Sequence, residues 1–128
     1  MHPITLNEPF RAVFYAPFYV AETRGMFAAQ GLDVVCATAG DPTRAAENLL
    51  SGAADIAWSG PMRPMMLRDR DPSCPLRSFC AVVMKDPFLL VGRGPNPGFT
   101  LADLPSLRLG SVSEVPTPWW TLQDDIRR

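Results

Sequence analysis

The chain has 128 residues, 47% of them apolar and 20% charged, with a formal net charge of -1. That is enough for one compact domain that buries roughly two-thirds of its unfolded surface, and too apolar for a disordered segment. A single lysine, Lys85, and the lack of a basic run interleaved with aromatics give nucleic acid little to hold, while the longest apolar runs fall far short of the ~18 residues a membrane span needs.

Residues 1–9 carry Glu8 and polar or proline interruptions, without the basic and apolar regions of a secretory signal. The expectation is a cytoplasmic protein, or a chain from which a leader is absent. Ile4, Thr5 and Leu6 alternate as a first strand, and residues 9–15 continue it into a loop rich in aromatics. Pro17 starts a helix over residues 18–23, Gly25 stops it, residues 26–30 give one more helical stretch, and Gly31 ends that. Residues 32–37 follow as a strand whose Val34-Val35-Cys36 core is too apolar for a surface edge, which predicts a central place in a parallel sheet.

Gly40-Asp41-Pro42 opens the next helix, with Asp41 as N-cap and Pro42 in its first position. Ala45, Ala46, Leu49 and Leu50 form its buried stripe, and Gly52 sits where a left-handed stop is wanted. Residues 54–58 then read as a short strand covered on both faces and lying inside the sheet, and Ser59-Gly60-Pro61 as the cap and opening proline of a helix reaching about Arg70. A helix, a strand and a helix in so few residues imply an α/β sheet with tight turns. Ligands of such sheets sit at the carboxyl ends of the strands, which points to Ser59 and Gly60. Met62, Met65, Met66 and Leu67 recur at helical spacing, which reads as core packing rather than a binding face.

Beyond a proline-rich loop at 71–75, residues 79–84, 88–91 and 107–111 read as strands, and Thr100 caps a single turn ending at Leu104. A last helix starts near Pro118. Trp119, Trp120, Leu122 and Ile126 give it an apolar face with few partners, so self-association through this helix is expected. Cys36, Cys74 and Cys80 are odd in number and have no metal-binding spacing, so no metal or redox site is expected. Cys36 and Cys80 fall in apolar runs and are expected to be buried, with Cys74 exposed between Pro72 and Pro75.

Three segments carry a resemblance: residues 18–27 (FYVAETRGMF) with Gly31-Leu32-Asp33-Val34, residues 50–57 (LSGAADIA), and residues 101–104 (LADL) before Arg108-Leu109-Gly110. In this order they resemble the type II periplasmic solute-binding fold, and within it the sulfonate-, nitrate- and thiamine-pyrimidine-type binding proteins of ABC transporters, relatives of the thiamine-pyrimidine synthases. The resemblance implies a three-layer α/β/α lobe with a mostly parallel sheet, residues 1–111 forming a first lobe and 112–128 the crossover and opening helix of a second lobe that this chain lacks. It also implies a periplasmic protein that binds a small organic solute, such as a sulfonate, a pyrimidine or an aromatic acid, for an importer permease. The cleft walls would be Phe14 and Tyr15, Asp41, Ser59 and Gly60, and a crossover including Ser111 and Thr117. Several of these lie where strands lead into helix N-termini, whose free N–H groups favour hydrogen-bond acceptors. Phe14 and Tyr15 suit a flat ring, and Asp41 suits an amine or ring N–H. Asp41 and Ser59 are equally explained as helix caps.

The enzymatic alternative is a thiamine-pyrimidine synthase, which needs a lysine for a pyridoxal phosphate Schiff base and a histidine at the site. Only Lys85 and His2 are available, and neither is well placed. A binder without catalytic residues or cofactor is therefore expected over this enzyme or an aromatic-acid decarboxylase of the same fold. A truncated interaction module is the third reading.

Overall fold

The computed structural model describes residues 3–85, 87–113 and 115–128. The chain divides into two compact units, Met1–Lys85 and Asp86–Arg128. The lobe expected over residues 1–111 thus takes in the first unit and part of the second.

The first unit is organised on a three-stranded parallel sheet of β1 (Ile4–Glu8), β2 (Val34–Thr38) and β3 (Ile56–Ala57), in the order β2-β1-β3. Parallel neighbours need a crossover, and helices supply it. Helices α1 (Ala16–Thr23) and α2 (Met26–Ala29) lead from β1 to β2, α3 (Pro42–Ser51) leads from β2 to β3, and α4 (Met62–Arg70) follows β3. This is the α/β class that the sequence predicts.

Register decides which side chains meet. Leu6 pairs with Cys36 and Ile56, and Glu8 with Thr38, so alternation turns Leu6 and Glu8 to one face and Asn7 to the other. On the Asn7 face, Asn48 of α3 donates to Asn7 Oδ1 at 2.8 Å. On the Glu8 face, Tyr19 lies beside Glu8 and Glu22 beside Cys36, both from α1. Helices therefore cover both faces of the sheet.

The helix boundaries follow their residues closely. Asp41 Oδ1 accepts from the backbone N–H groups of Thr43 at 2.7 Å and Arg44 at 2.9 Å, which caps α3, with Pro42 next in line. Gly52, at φ +76°, ends that helix in the left-handed region that a side chain resists, and Gly25, at φ +64°, separates α1 from α2.

Several expectations are corrected. The central strand is β1, and β2 and the strand around Ile56 are both edges. An apolar run was a poor guide, because β1 buries the polar Asn7 and Glu8 by bonding them, while Val35 on β2 is 49% exposed. In α3, Ala45 and Ala46 are buried but Leu50 is exposed, one step round the helix from the face that meets the sheet. Ser59 does not cap α4: the position before Met62 is Pro61, whose ring carries no hydrogen-bond acceptor, and the Ser59 hydroxyl donates to the Gly60 carbonyl at 3.4 Å. Met65 is exposed, while Met62, Met66 and Leu67 are half-buried.

Among the described residues, segments 79–84, 88–91 and 107–111 join no sheet. Their side chains have strand composition, but composition records apolarity and not a pairing partner, and Phe79, Met84, Leu89 and Val91 stay largely exposed. Cys74 and Cys80 reverse their expected places. Cys74 is buried, because its N–H bonds the Asp71 carbonyl at the end of α4 while Arg68 and Arg77 both donate to its own carbonyl. Cys80 is exposed on a segment outside the sheet, and Cys36 is half-buried on the β2 edge.

The second unit holds a short 3-10 segment (Leu101–Ser106) and helix α5 (Thr117–Arg127). The Thr100 N–H donates to Asp103 Oδ2 at 2.8 Å, which fixes the start of the turn, and Leu104 is buried at its end. On α5, Trp119, Trp120 and Ile126 are exposed. No helix among the described residues is long and apolar enough to cross a membrane.

Candidate functional site

The carboxyl ends of β1, β2 and β3 deliver Glu8, Thr38 and, one residue past β3, Trp58 to the same edge of the sheet. Glu8 is only 2% exposed. Its Oε1 accepts from the Thr38 hydroxyl at 2.7 Å and from Arg11 Nε at 3.1 Å. Its Oε2 is sealed from solvent, and the Tyr19 hydroxyl lies close enough to the carboxylate to stabilise its charge. Burial pushes the Glu8 pKa up, but hydrogen bonds from Thr38, Tyr19 and Arg11, with the Arg11 charge, outweigh it and hold the group below its ordinary value. The edge therefore presents a buried carboxylate in its charged form.

Arg11 is anchored at one end only. Its Nε bonds Glu8 and its guanidinium lies 5.0 Å from the Tyr19 ring centre, while the side chain remains 70% exposed. Tyr19 also accepts from the Ala12 N–H at 3.2 Å, so the loop after β1 is tied to α1 through a single phenol. Burial pushes the Tyr19 hydroxyl pKa up, with the neighbouring Glu8 adding to the shift.

Beside this carboxylate stands an aromatic cluster. Phe18 stacks on Trp58 with ring centres 3.9 Å apart and planes 12° from parallel, and Tyr15 and Tyr19 approach the indole at 5.6 and 6.2 Å. Phe14 meets Tyr15 edge-on at 4.5 Å. Trp58 is buried, yet its indole N–H has no acceptor. The rings fill the space between α1 and the end of β3, and the half-buried Phe14 and Tyr15 form the rim.

The structure thus brings Phe14 and Tyr15 into contact at this edge, with Tyr15 reaching Trp58. Asp41 stands at the carboxyl end of β2 as a working N-cap, with its pKa lowered by the Arg44 and Thr43 backbone N–H groups and by the charges of Arg44 and Arg63. Ser59 and Gly60 follow β3 and are exposed. Ser111 and Thr117 belong to the second unit. There Ser111 lines a cleft of about 370 Å³ with Leu90, Leu101, Leu109, Leu122 and Asp125. Thr117 opens α5, and its carbonyl accepts from the Thr121 hydroxyl at 2.8 Å.

Sequence reasoning missed Glu8, Thr38, Arg11 and Tyr19. The strand-end rule points to the loops and turns that follow the strands, whereas Glu8 is the last residue of β1 itself, a glutamate before a proline. His2 lies outside the described residues, and among the described residues no cluster of three or more potential metal ligands exists.

The family model described as NMT1/THI5 like matches residues 13–117. The chain is 32% identical over 90 residues to a protein of Bacillus subtilis (strain 168) named "Putative binding protein YtlA", an alignment covering 70% of this chain and 27% of that relative. The chain thus spans about a quarter of the length of the curated relative it matches. No solved structure matches it.

Proposed function

The chain belongs to the NMT1/THI5-like family of solute-binding proteins, whose fold is the type II periplasmic binding fold, and on that premise we propose that it contributes one wall of a binding site for a small organic solute carrying a flat ring. The observation that carries this reading is the carboxyl edge of the parallel sheet. A charged, buried glutamate, a helix N-terminus capped by Asp41, the exposed Ser59-Gly60 turn and the aromatic rim of Phe14 and Tyr15 all stand at strand ends there. In this reading the solute is handed to the permease of an ABC-type importer, the compartment is the periplasm, and no bond is made or broken.

The absence of turnover rests on side-chain chemistry. Lys85 is the only lysine and stands well beyond the strand ends in sequence. The groups named at the edge are carboxylates, hydroxyls, an arginine and aromatic rings, which can bind and orient but do not form a Schiff base. The relative's printed name, a binding protein, supports the same reading.

The test is a thermal-shift screen of the chain against pyrimidines, aromatic carboxylates, sulfonates and nitrate. A binder shows a concentration-dependent rise in Tm with at least one class. Release of a chemically altered product from any of them would favour the synthase or decarboxylase reading instead. Self-association through α5 is a second reading, favoured by the exposure of Trp119 and Trp120 on that helix.

A further inference from the structure

Phe14 and Tyr15 ride on a single 3-10 turn, Val13–Tyr15, between the end of β1 and the start of α1. The turn contains no buried residue, no side chain caps its start, and Val13 is 89% exposed. Neither packing nor capping within the turn therefore holds it in place. The tie comes from Tyr19 on α1. Its phenol oxygen accepts the Ala12 N–H at 3.2 Å, which leaves its proton for the buried Glu8 carboxylate, whose charge the hydroxyl stabilises. A phenol can serve both partners at once, because it has one proton to give and lone pairs with which to receive. Ala12 is the residue on which the turn is built. Its carbonyl accepts the Tyr15 N–H at 3.0 Å, and the Tyr15 ring stands 5.6 Å from the Trp58 indole. Arg11 closes the arrangement, with its guanidinium 5.0 Å from the Tyr19 ring centre and its Nε bonded to Glu8 at 3.1 Å.

We infer that Tyr19 is a positioning residue for the aromatic rim: its hydroxyl, seated between the Glu8 carboxylate and the Ala12 N–H, holds the Val13–Tyr15 turn so that Tyr15 covers Trp58, and losing that hydroxyl releases the turn without unfolding the sheet. What the rim does rests on the solute-binding reading, whereas the hold on the turn is a property of the chain, tested with no solute present. Thr38 separates this role from plain support of Glu8. Its hydroxyl also donates to the carboxylate, at 2.7 Å, but from the end of β2, and it bonds Glu8 rather than the loop. Removing either hydroxyl takes one donor from Glu8. Only Tyr19 also lets go of Ala12.

The experiment measures amide hydrogen exchange and acrylamide quenching on the full chain, in a background of Trp119→Phe with Trp120→Phe that leaves Trp58 as the one tryptophan. In this background the Ala12 amide should exchange more slowly than that of Val13, which opens the turn with no partner in the preceding turn. Tyr19→Phe keeps the ring and removes the hydroxyl. It should speed Ala12 exchange by about tenfold, the effect of losing one hydrogen bond, and raise the quenching of Trp58, while exchange at Leu6 in the sheet stays slow. Thr38→Val should lower the thermal transition and leave Ala12 exchange and Trp58 quenching as they were. If Tyr19→Phe does not fold, as judged by circular dichroism, the protection of Ala12 over Val13 and the Thr38→Val response still decide. An Ala12 amide no better protected than Val13, a folded Tyr19→Phe with unchanged Ala12 exchange, or equal acceleration by Thr38→Val overturns the assignment of Tyr19. None of these outcomes touches the solute-binding reading, which stands or falls on the thermal screen.

Discussion

Asn48 of α3 donates its side-chain N–H to Asn7 of the central strand at 2.8 Å, and Asn7 donates in turn to the Ala37 carbonyl of β2 at 2.8 Å. One amide, 3% exposed, thereby ties two strands and a helix. Asn48→Ala leaves Asn7 Oδ1 buried without its donor, and should cost about 1–3 kcal/mol. Urea denaturation should show a lower midpoint with an unchanged slope. An unchanged midpoint would mean that water replaces the Asn48 group.

Glu8 should make stability depend on pH in a definite direction. Its folded pKa lies below the ordinary 4.5, so the folded chain binds this proton less readily than the unfolded chain does. Such a group stabilises the fold above its unfolded pKa, and the contribution disappears as the pH falls through the lower, folded value. The stability difference between the wild type and Glu8→Gln should therefore shrink on acidification below about pH 4.5, in urea midpoints measured across that range. A difference that grows towards acid would show that burial, not hydrogen bonding, dominates at this carboxyl.

The three cysteines should label in an order that the sequence alone does not give. Cys80 is exposed, Cys74 is buried, and burial together with Glu22 pushes the Cys36 thiol up to about 11. The reacting species is the thiolate, so near neutral pH iodoacetamide should modify Cys80 first and the other two slowly. Peptide mapping by mass spectrometry reads the order. Early labelling of Cys74 would mean that the loop held by Arg68 and Arg77 opens readily.

The local signals of the first unit were legible because each has a local cause. Asp41 with Pro42, Gly52, and the Gly25 break between two helices all follow from backbone chemistry that needs no partner. The order of strands was not legible. Val34-Val35-Cys36 looks more central than Thr5-Leu6-Asn7-Glu8, yet the polar strand takes the centre because Asn48, Ala37 and Thr38 satisfy its side chains from other parts of the chain. The candidate site was half legible for the same reason. Phe14, Tyr15, Asp41 and Ser59 stand out by type and spacing, whereas the importance of Glu8 lies in contacts with residues up to thirty positions away. Among the described residues the apolar segments 79–84, 88–91 and 107–111 show the converse, since strand composition alone does not make a segment join a sheet.

Gly52 offers a clean test of backbone conformation. No atom lies within 4 Å of an added Cβ, so Gly52→Ala meets only the left-handed φ of +76°. The cost should be about 1 kcal/mol, with no change in the solute response at the far end of the sheet. A much larger loss would point to rearrangement of the turn into β3.

The last prediction concerns α5. Trp119 and Trp120 are each 40% exposed and Ile126 45%, an apolar face on a helix that belongs to the second unit. If two copies cover this face, the few hundred Å² of apolar surface removed is worth several kcal/mol at ~25 cal/mol per Å², against an association cost of roughly 4–15 kcal/mol. The balance allows only a weak, concentration-dependent dimer. Sedimentation velocity should show the average mass rising with concentration, and tryptophan emission should move to the red on dilution as the indoles return to water. Replacing both residues, Trp119→Gln with Trp120→Gln, should abolish the mass increase while the first unit keeps its thermal transition. A chain that stays monomeric at high concentration, with emission independent of dilution, would show that this face does not pair with its own copy.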